Sequence, residues 1–225
     1  MAATAPVRAN LTDSATAAVR QRIEGSNALR PNSDAEIRAL ISAALDTVME
    51  IGSLDPSVRD ILRRSGLSRQ VFYHYFSSKD ELLLIMVAAG WRLVAEYIDE
   101  RVASASSHTD KLTAWIASVM RQAQSASIRS LTKPFTFTGH RLEQRYPAEY
   151  ADARRTLTRS LATIIDDGVS AGVFMTDQSA ADALVIYDAV FARQNRYIVL
   201  DQLSSADDVE ALSEFSLRAL CVLAG

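Results

Sequence analysis

The sequence predicts an all-α fold, and three observations carry that reading. Apolar residues recur at three- and four-residue spacing along almost the whole chain, candidate helix caps punctuate that periodicity, and no stretch alternates convincingly in the manner of a strand. The expected architecture is a small N-terminal three-helix unit of the helix-turn-helix type followed by a larger helical domain. At 225 residues and 48% hydrophobic, the chain is long enough to bury both. Its formal net charge of -3 argues against coating nucleic acid by bulk charge, so any such contact must be local.

Taken in order, residues 1–33 are rich in Ala, Ser, Thr and Asn, with Arg8, Arg20, Arg22 and Arg30 outnumbering Asp13 and Glu24. They read as a flexible basic arm, with at most a short helix near 11–24, where Leu11, Ala15, Val19 and Ile23 recur every fourth residue. From Asp34 to Ile51 the apolar positions fall at helical spacing, Ser33 and Glu36 have the spacing of a capping box, and Gly52 ends the helix. Asp55 and Pro56 open a short helix that turns Val58, Ile61 and Leu62 inward and stops at Ser65 and Gly66. Ser68 then serves as N-cap of another short helix running to about Tyr75.

Ser78 and Glu81 form a second capping-box pattern, opening a long helix that carries Leu82, Leu83, Met86, Leu93, Ile98 and Val102 to the polar break ASASSHTD. Further helices are expected at about 109–126, 134–143, 147–171, 179–201 and 205–223, punctuated by Pro134, Pro147, a turn around Gly172 and the stretch QLSSADD.

The stretch SGLSRQVFYHYFSSKDEL crowds five rings into Phe72–Phe76, more than one face of a helix can bury. Two short helices joined through Gly66 have the spacing of a helix-turn-helix, in which Leu67, Phe72 and Phe76 plug the small core. Ser68, Arg69, Gln70, Val71, Tyr73 and His74 then project from the other sides of the second short helix. The forked donors of Arg69 suit guanine, the amide of Gln70 suits adenine, and Val71 suits a thymine methyl. Tyr73 and Lys79 suit phosphate oxygens, Lys79 standing in the first turn of the next helix, where free backbone N–H groups also attract a phosphate.

Residues 37–83, IRALISAALDTVMEIGSLDPSVRDILRRSGLSRQVFYHYFSSKDELL, resemble the DNA-binding domain of the tetracycline-repressor (TetR) family. SVRDI, SGLS, FYHYF and SSKDEL all lie in register with that pattern. The resemblance implies an all-α protein with a DNA-binding domain at 34–80 and a helical ligand-binding and dimerisation domain at 81–225. It places Ser57, Arg59, Ser68, Arg69, Gln70, Val71, Tyr73, His74 and Lys79 at or near DNA. The chain departs from the family pattern at Gln70 and Val71, where Gly and Thr are common, at Tyr75, where His is common, and at Leu62, where a small residue is usual.

The same resemblance implies a homodimer, paired through the helices near 179–201 and 205–223. The candidate faces are Ala183, Ile186, Tyr187, Val190, Ala192, Gln194, Tyr197 and Ile198 on one, and Leu212, Phe215, Leu217, Leu220 and Leu223 on the other. A small apolar or aromatic effector is expected among Trp91, Trp115, Met120, Phe135, Phe137, His140, Arg141, Tyr146 and Tyr150, aromatic and apolar groups with a few polar anchors.

The implied function is a ligand-responsive transcriptional regulator, most simply a repressor, on a palindromic operator. The alternatives are a DNA-binding regulator without a ligand and a helical enzyme. The enzyme reading is disfavoured: the only histidines are His74, His108 and His140, and no HExxH, GxSxG, Gly-rich phosphate loop or Cys/His cluster is present. No cofactor or metal is expected. A single cysteine, Cys221, and the lack of any apolar run near the roughly 18 residues of a membrane span suggest a cytoplasmic protein.

Overall fold

The computed structural model describes residues 5–24 and 31–221, apart from the side chains at 127, 137, 138 and 153. These residues form ten helices and no strand: α1 Ala5–Glu24, α2 Ser33–Ile51, α3 Val58–Ser65, α4 Arg69–Tyr75, α5 Lys79–Ala103, α6 His108–Gln124, α7 Ala126–Arg145, α8 Pro147–Ser170, α9 Ser179–Val199 and α10 Ala206–Leu220. They divide into two compact units, one of Met1–Leu93 with Lys133–Ala153, the other of Val94–Thr132 with Arg154–Gly225.

In the first unit α2 is the central element, packed against α1, α3 and α4. Where composition suggests a flexible arm with at most a short helix, the structure has α1, twenty residues long. Its Leu11, Ala15, Val19 and Ile23 are buried, as are Thr12 and Thr16 beside them, the Thr16 hydroxyl donating to the Thr12 carbonyl. The arginines that made this segment look like a free basic arm are neutralised within the unit. Arg8 pairs with Asp46, Arg20 with Asp34 and Glu24, Arg22 with Glu81, and Asp13 of α1 with Arg38. Such exposed pairs add little stability singly. They do account for where the arm's charge goes. Arg30 lies outside the described residues.

The capping box expected of Ser33 and Glu36 does not form. Asn32 stands at the N-cap of α2 without a side-chain cap bond. Both side chains instead meet Tyr75 at the far end of α4: its hydroxyl lies 2.5 Å from a Glu36 carboxylate oxygen, to which it donates, and 3.1 Å from Ser33 Oγ. The phenol thus ties α4 to the first turn of α2. The box expected at Ser78 and Glu81 forms in a shifted version. Ser78 Oγ accepts from the Glu81 N–H at 3.1 Å, while the Glu81 carboxylate reaches one residue further back, to the N–H and hydroxyl of Ser77, both at 2.6 Å.

The second unit is built around Trp115, Ile116, Val119 and Met120 of α6, closed by α8, α9 and α10. Residues around Gly172 form the expected turn, and Phe174 lies so close over Gly168 that a Cβ there would stand 2.1 Å from the ring. The α9 positions Ala183, Ile186, Tyr187, Val190, Gln194 and Ile198, expected to face a second copy, are buried here, with Leu212 and Leu220 of α10. The reason is that the more continuous apolar stripe of an amphipathic helix goes to its own core first. Leu223 lies outside the described residues.

Pro134, expected to start a helix, sits inside α7. The true start is Ser125, whose Oγ accepts from the Ile128 N–H at 3.4 Å. Proline removes one helical donor, and the turn before it is reinforced by Thr132, whose hydroxyl lies 3.1 Å from the Ile128 carbonyl.

Removing the Tyr75 hydroxyl tests the α2–α4 tie. Tyr75→Phe is expected to lower the stability of the protein by about 1–3 kcal/mol, since the lost bond is to a charged partner. Chemical denaturation would measure this, and an unchanged midpoint would show that the tie contributes nothing.

Candidate nucleic-acid interface

The helix-turn-helix is set by caps and one glycine. Ser57 Oγ accepts from the Asp60 N–H at 3.1 Å and starts α3. Gly66 ends it in the left-handed region at φ 70°, a conformation that side chains with a Cβ resist. Ser68 Oγ accepts from the Val71 N–H at 3.3 Å and starts α4. The sharp turn between the two short helices follows from these three residues.

On α4 the ring cluster divides by side. Phe72, Tyr75 and Phe76 are fully buried. Ser68, Arg69 and Gln70 are exposed, Tyr73 is 44% exposed, and Val71 and His74 are half-buried. The Arg69 guanidinium lies 5.4 Å from the centre of the Tyr73 ring. His74 packs edge-on to the Tyr75 ring, at 4.8 Å between centroids. Ser57 and Arg59 of α3 are exposed as well. Of the nine residues expected near DNA, eight therefore belong to α3 and α4 or their caps and present some surface. The ninth, Lys79, is half-buried and ion-paired with Asp55 of the α2–α3 connection. The Asp55 carboxyl is held below its usual range chiefly because Lys79 donates a hydrogen bond to it; burial opposes this, and the charges of Lys79 and Arg141 reinforce it.

Two further groups, not found from the sequence, position this region. Arg22 of α1 donates to the carbonyl of Tyr75, the last residue of α4, pairs with Glu81, and lies 6.0 Å from the centre of the Phe76 ring. Burial lowers its pKa. Asp80, in the first turn of α5, is buried and takes Arg145 at 2.7 Å and the Tyr146 hydroxyl at 3.2 Å, both from the end of α7. Helical periodicity carries no signal for contacts between segments so far apart in sequence.

The residues expected to hold an effector do not form one group. Trp115 and Met120 are fully buried in the core of the second unit, and the Trp115 Nε1–H has no acceptor among the described residues. Trp91, Phe135, His140, Arg141, Tyr146 and Tyr150 belong to the first unit. There Trp91 meets Tyr150 edge-on at 5.2 Å, while His140 and Arg141, the expected polar anchors, are exposed. The Phe137 side chain is outside the described residues. A cleft of about 400 Å³ does open in the second unit, between α5 and α6, and none of these candidates lines it.

Comparison with known proteins places residues 40–86 in the family described as bacterial regulatory proteins, tetR family. The HTH-type transcriptional regulator BetI of Brucella canis is 33% identical over 89 residues, which are 40% of this chain and 45% of that protein. BetI of Agrobacterium fabrum is 36% identical over 77 residues, 34% of this chain and 37% of that one. The chain thus spans less than half the length of these curated relatives. Among solved structures, the fatty acid degradation regulator FadR of Bacillus halodurans superposes with a TM-score of 0.67 at 17% identity, over 84% of this chain and 96% of its own. FadR of Bacillus subtilis, in complex with stearoyl-CoA, gives 0.62 at 19% identity, over 81% and 96%. At such identities the likeness establishes a shared fold.

The Asp55–Lys79 pair has a direct signature. In a Lys79→Ala variant the Asp55 carboxyl is expected to titrate at higher pH than in the parent, read from its side-chain carbon shift by NMR. An unmoved titration would mean that the pair is not formed in solution.

Proposed function

We propose that this chain, whose residues 40–86 match the tetR family of bacterial regulatory proteins, is a transcriptional repressor that binds a palindromic operator as a homodimer and is released by a small apolar or aromatic effector. One observation carries the DNA-reading part: on α4 the hydrophobic residues are buried while Ser68, Arg69, Gln70 and Tyr73 stay exposed on a helix of only seven residues. An exposed arginine and glutamine on the short helix of a helix-turn-helix are the groups that read guanine and adenine edges in a major groove. The capped and basic surroundings of Ser57, Arg59 and Lys79 suit the phosphates that fix register, with Val71 and His74 at the margin of the reading surface.

Dimer formation is supported by what remains exposed in the second unit. On α9, Ala181, Val185, Asp188, Ala192, Asn195 and Val199 are exposed at alternating four- and three-residue spacing, the pattern of a helix that packs lengthwise against another. Val185 is 61% exposed, and Phe215 on α10, flanked by exposed Ala211 and Ala219, is 53% exposed. A dimer presents two reading helices to half-sites about 34–36 Å apart, and a single head reads too few base pairs for useful specificity. The effector acts by population shift, stabilising an arrangement whose heads no longer match that spacing. A coupling of roughly 1–3 kcal/mol weakens operator binding about 5- to 150-fold, enough for a switch. That FadR of Bacillus subtilis was solved with stearoyl-CoA supports a ligand-taking role for the helical region.

Selection of bound duplexes from a random pool at fixed salt is the test. A palindrome with half-sites one helical turn apart is the expected product, and recovery of no common sequence would refute DNA reading. On the recovered site, Arg69→Ala or Gln70→Ala should relax preference at one position per half-site and cost about 1–3 kcal/mol. Uniform weakening over all sequences would assign these residues to the backbone instead. The variant Val185→Glu with Phe215→Glu should sediment as a monomer and lose the palindrome, whereas a persistent dimer would move the interface elsewhere.

A further inference from the structure

We propose that the cleft between α5 and α6 is a binding site for a small organic carboxylate, held by Arg101 and Arg121. Both guanidiniums converge on Tyr97, at 5.3 and 5.0 Å from the centre of its ring, and Arg121 also donates to the Tyr97 hydroxyl. Like charges gathered on one ring repel each other, which a nearby carboxylate would normally offset. Arg8, Arg22, Arg38 and Arg64 are each offset in this way. Neither Arg101 nor Arg121 forms an ion pair with a carboxylate among the described residues.

A second, independent observation comes from the α6 wall. Ser118 lines the cleft and is only 6% exposed, yet its hydroxyl bonds to none of the described residues. That hydroxyl is not sealed from solvent, unlike the Trp115 Nε1–H, whereas helical serines commonly donate to the carbonyl four residues back, as Ser213 and Ser216 do here. Ser118 does not.

The cleft therefore collects two unneutralised cations, an unpartnered hydroxyl and the amide of Gln124, beside a wall of Ala105, Ala114 and Ala117 that leaves room for an apolar body. Guanidinium groups match a carboxylate through paired N–H donors, and a cleft of about 400 Å³ is of the size that takes small ligands. The proposal deepens the ligand-responsive reading and rests on it for any effect on DNA, although binding itself does not depend on it.

Calorimetric titration of the full chain with 1-naphthoate, its neutral amide and inorganic phosphate separates the contributions. Saturable binding of naphthoate is expected, with the amide and phosphate each about tenfold weaker or more. Arg101→Ala and Arg121→Ala should each weaken naphthoate about tenfold, and Ser118→Ala about fivefold. Both arginines are exposed, and circular dichroism should show their variants folded. Equal binding of acid and amide, equal binding of phosphate, an Arg101→Ala/Arg121→Ala double variant that binds like the parent, or no saturation at all would each overturn the proposal. On the selected operator, release by naphthoate from the parent but not from the double variant supports the full scheme. Naphthoate bound in the cleft with operator affinity unchanged keeps the site and removes only ligand control, whereas a parent that prefers no duplex refutes the regulator reading and leaves the titration valid.

Discussion

The orientation of the short helix α4 depends on how its C-terminal end is held. The last turn of any helix leaves carbonyls without partners, and a seven-residue helix has few packing contacts to fix it otherwise. Arg22 closes this end by donating to the Tyr75 carbonyl while its charge is offset by Glu81, and Glu81 in turn holds the N–H of Ser77 in the link to α5. The Tyr75 hydroxyl fastens the same turn to α2 through Glu36. A base-reading surface needs side chains placed to a fraction of an ångström. The last turn of α4 is held here by groups from α1, α2 and α5.

Much of the architecture was legible because it rests on local rules. Ser68 and Ser78 cap the helices they were expected to cap, Gly66 makes the turn, and the separation of Phe72 and Phe76 from Arg69, Gln70 and Tyr73 follows from helical period alone, although α3 starts at the Ser57 cap and not at Asp55 and Pro56. What failed was pairing at a distance. Four arginines near the N-terminus look like free charge until Asp46, Asp34 and Glu81 are brought beside three of them. Ser33 and Glu36 satisfy the spacing of a capping box and serve Tyr75 instead.

The apolar faces of α9 show the same limit in another form. Periodicity identifies that one stripe is apolar but not whether it meets its own core or a second copy, and most of the residues expected to face a partner are buried at home, the exposed Ala192 and Phe215 excepted. The secondary stripe through Val185, Ala192 and Val199 is smaller and interrupted by Asp188 and Asn195, so it does not stand out in sequence. The effector candidates likewise do not form one group: Trp91 and Tyr150 pack edge-on in the first unit, while the cleft of the second unit is lined by Tyr97 with Arg101 and Arg121, none of them in an unusual run.

The ion pair of Asp55 with Lys79 bears on how much a polyanion gains by docking there. A lysine that is free in solution carries a cloud of mobile salt anions, and their escape into bulk on docking is what makes nucleic-acid affinity fall steeply with ionic strength. Lys79 already holds an anion that is covalently part of the chain and cannot diffuse away. Were a phosphate to replace that tethered carboxylate, little salt would be liberated, and this lysine would contribute less than its full charge to the ionic-strength dependence of the encounter.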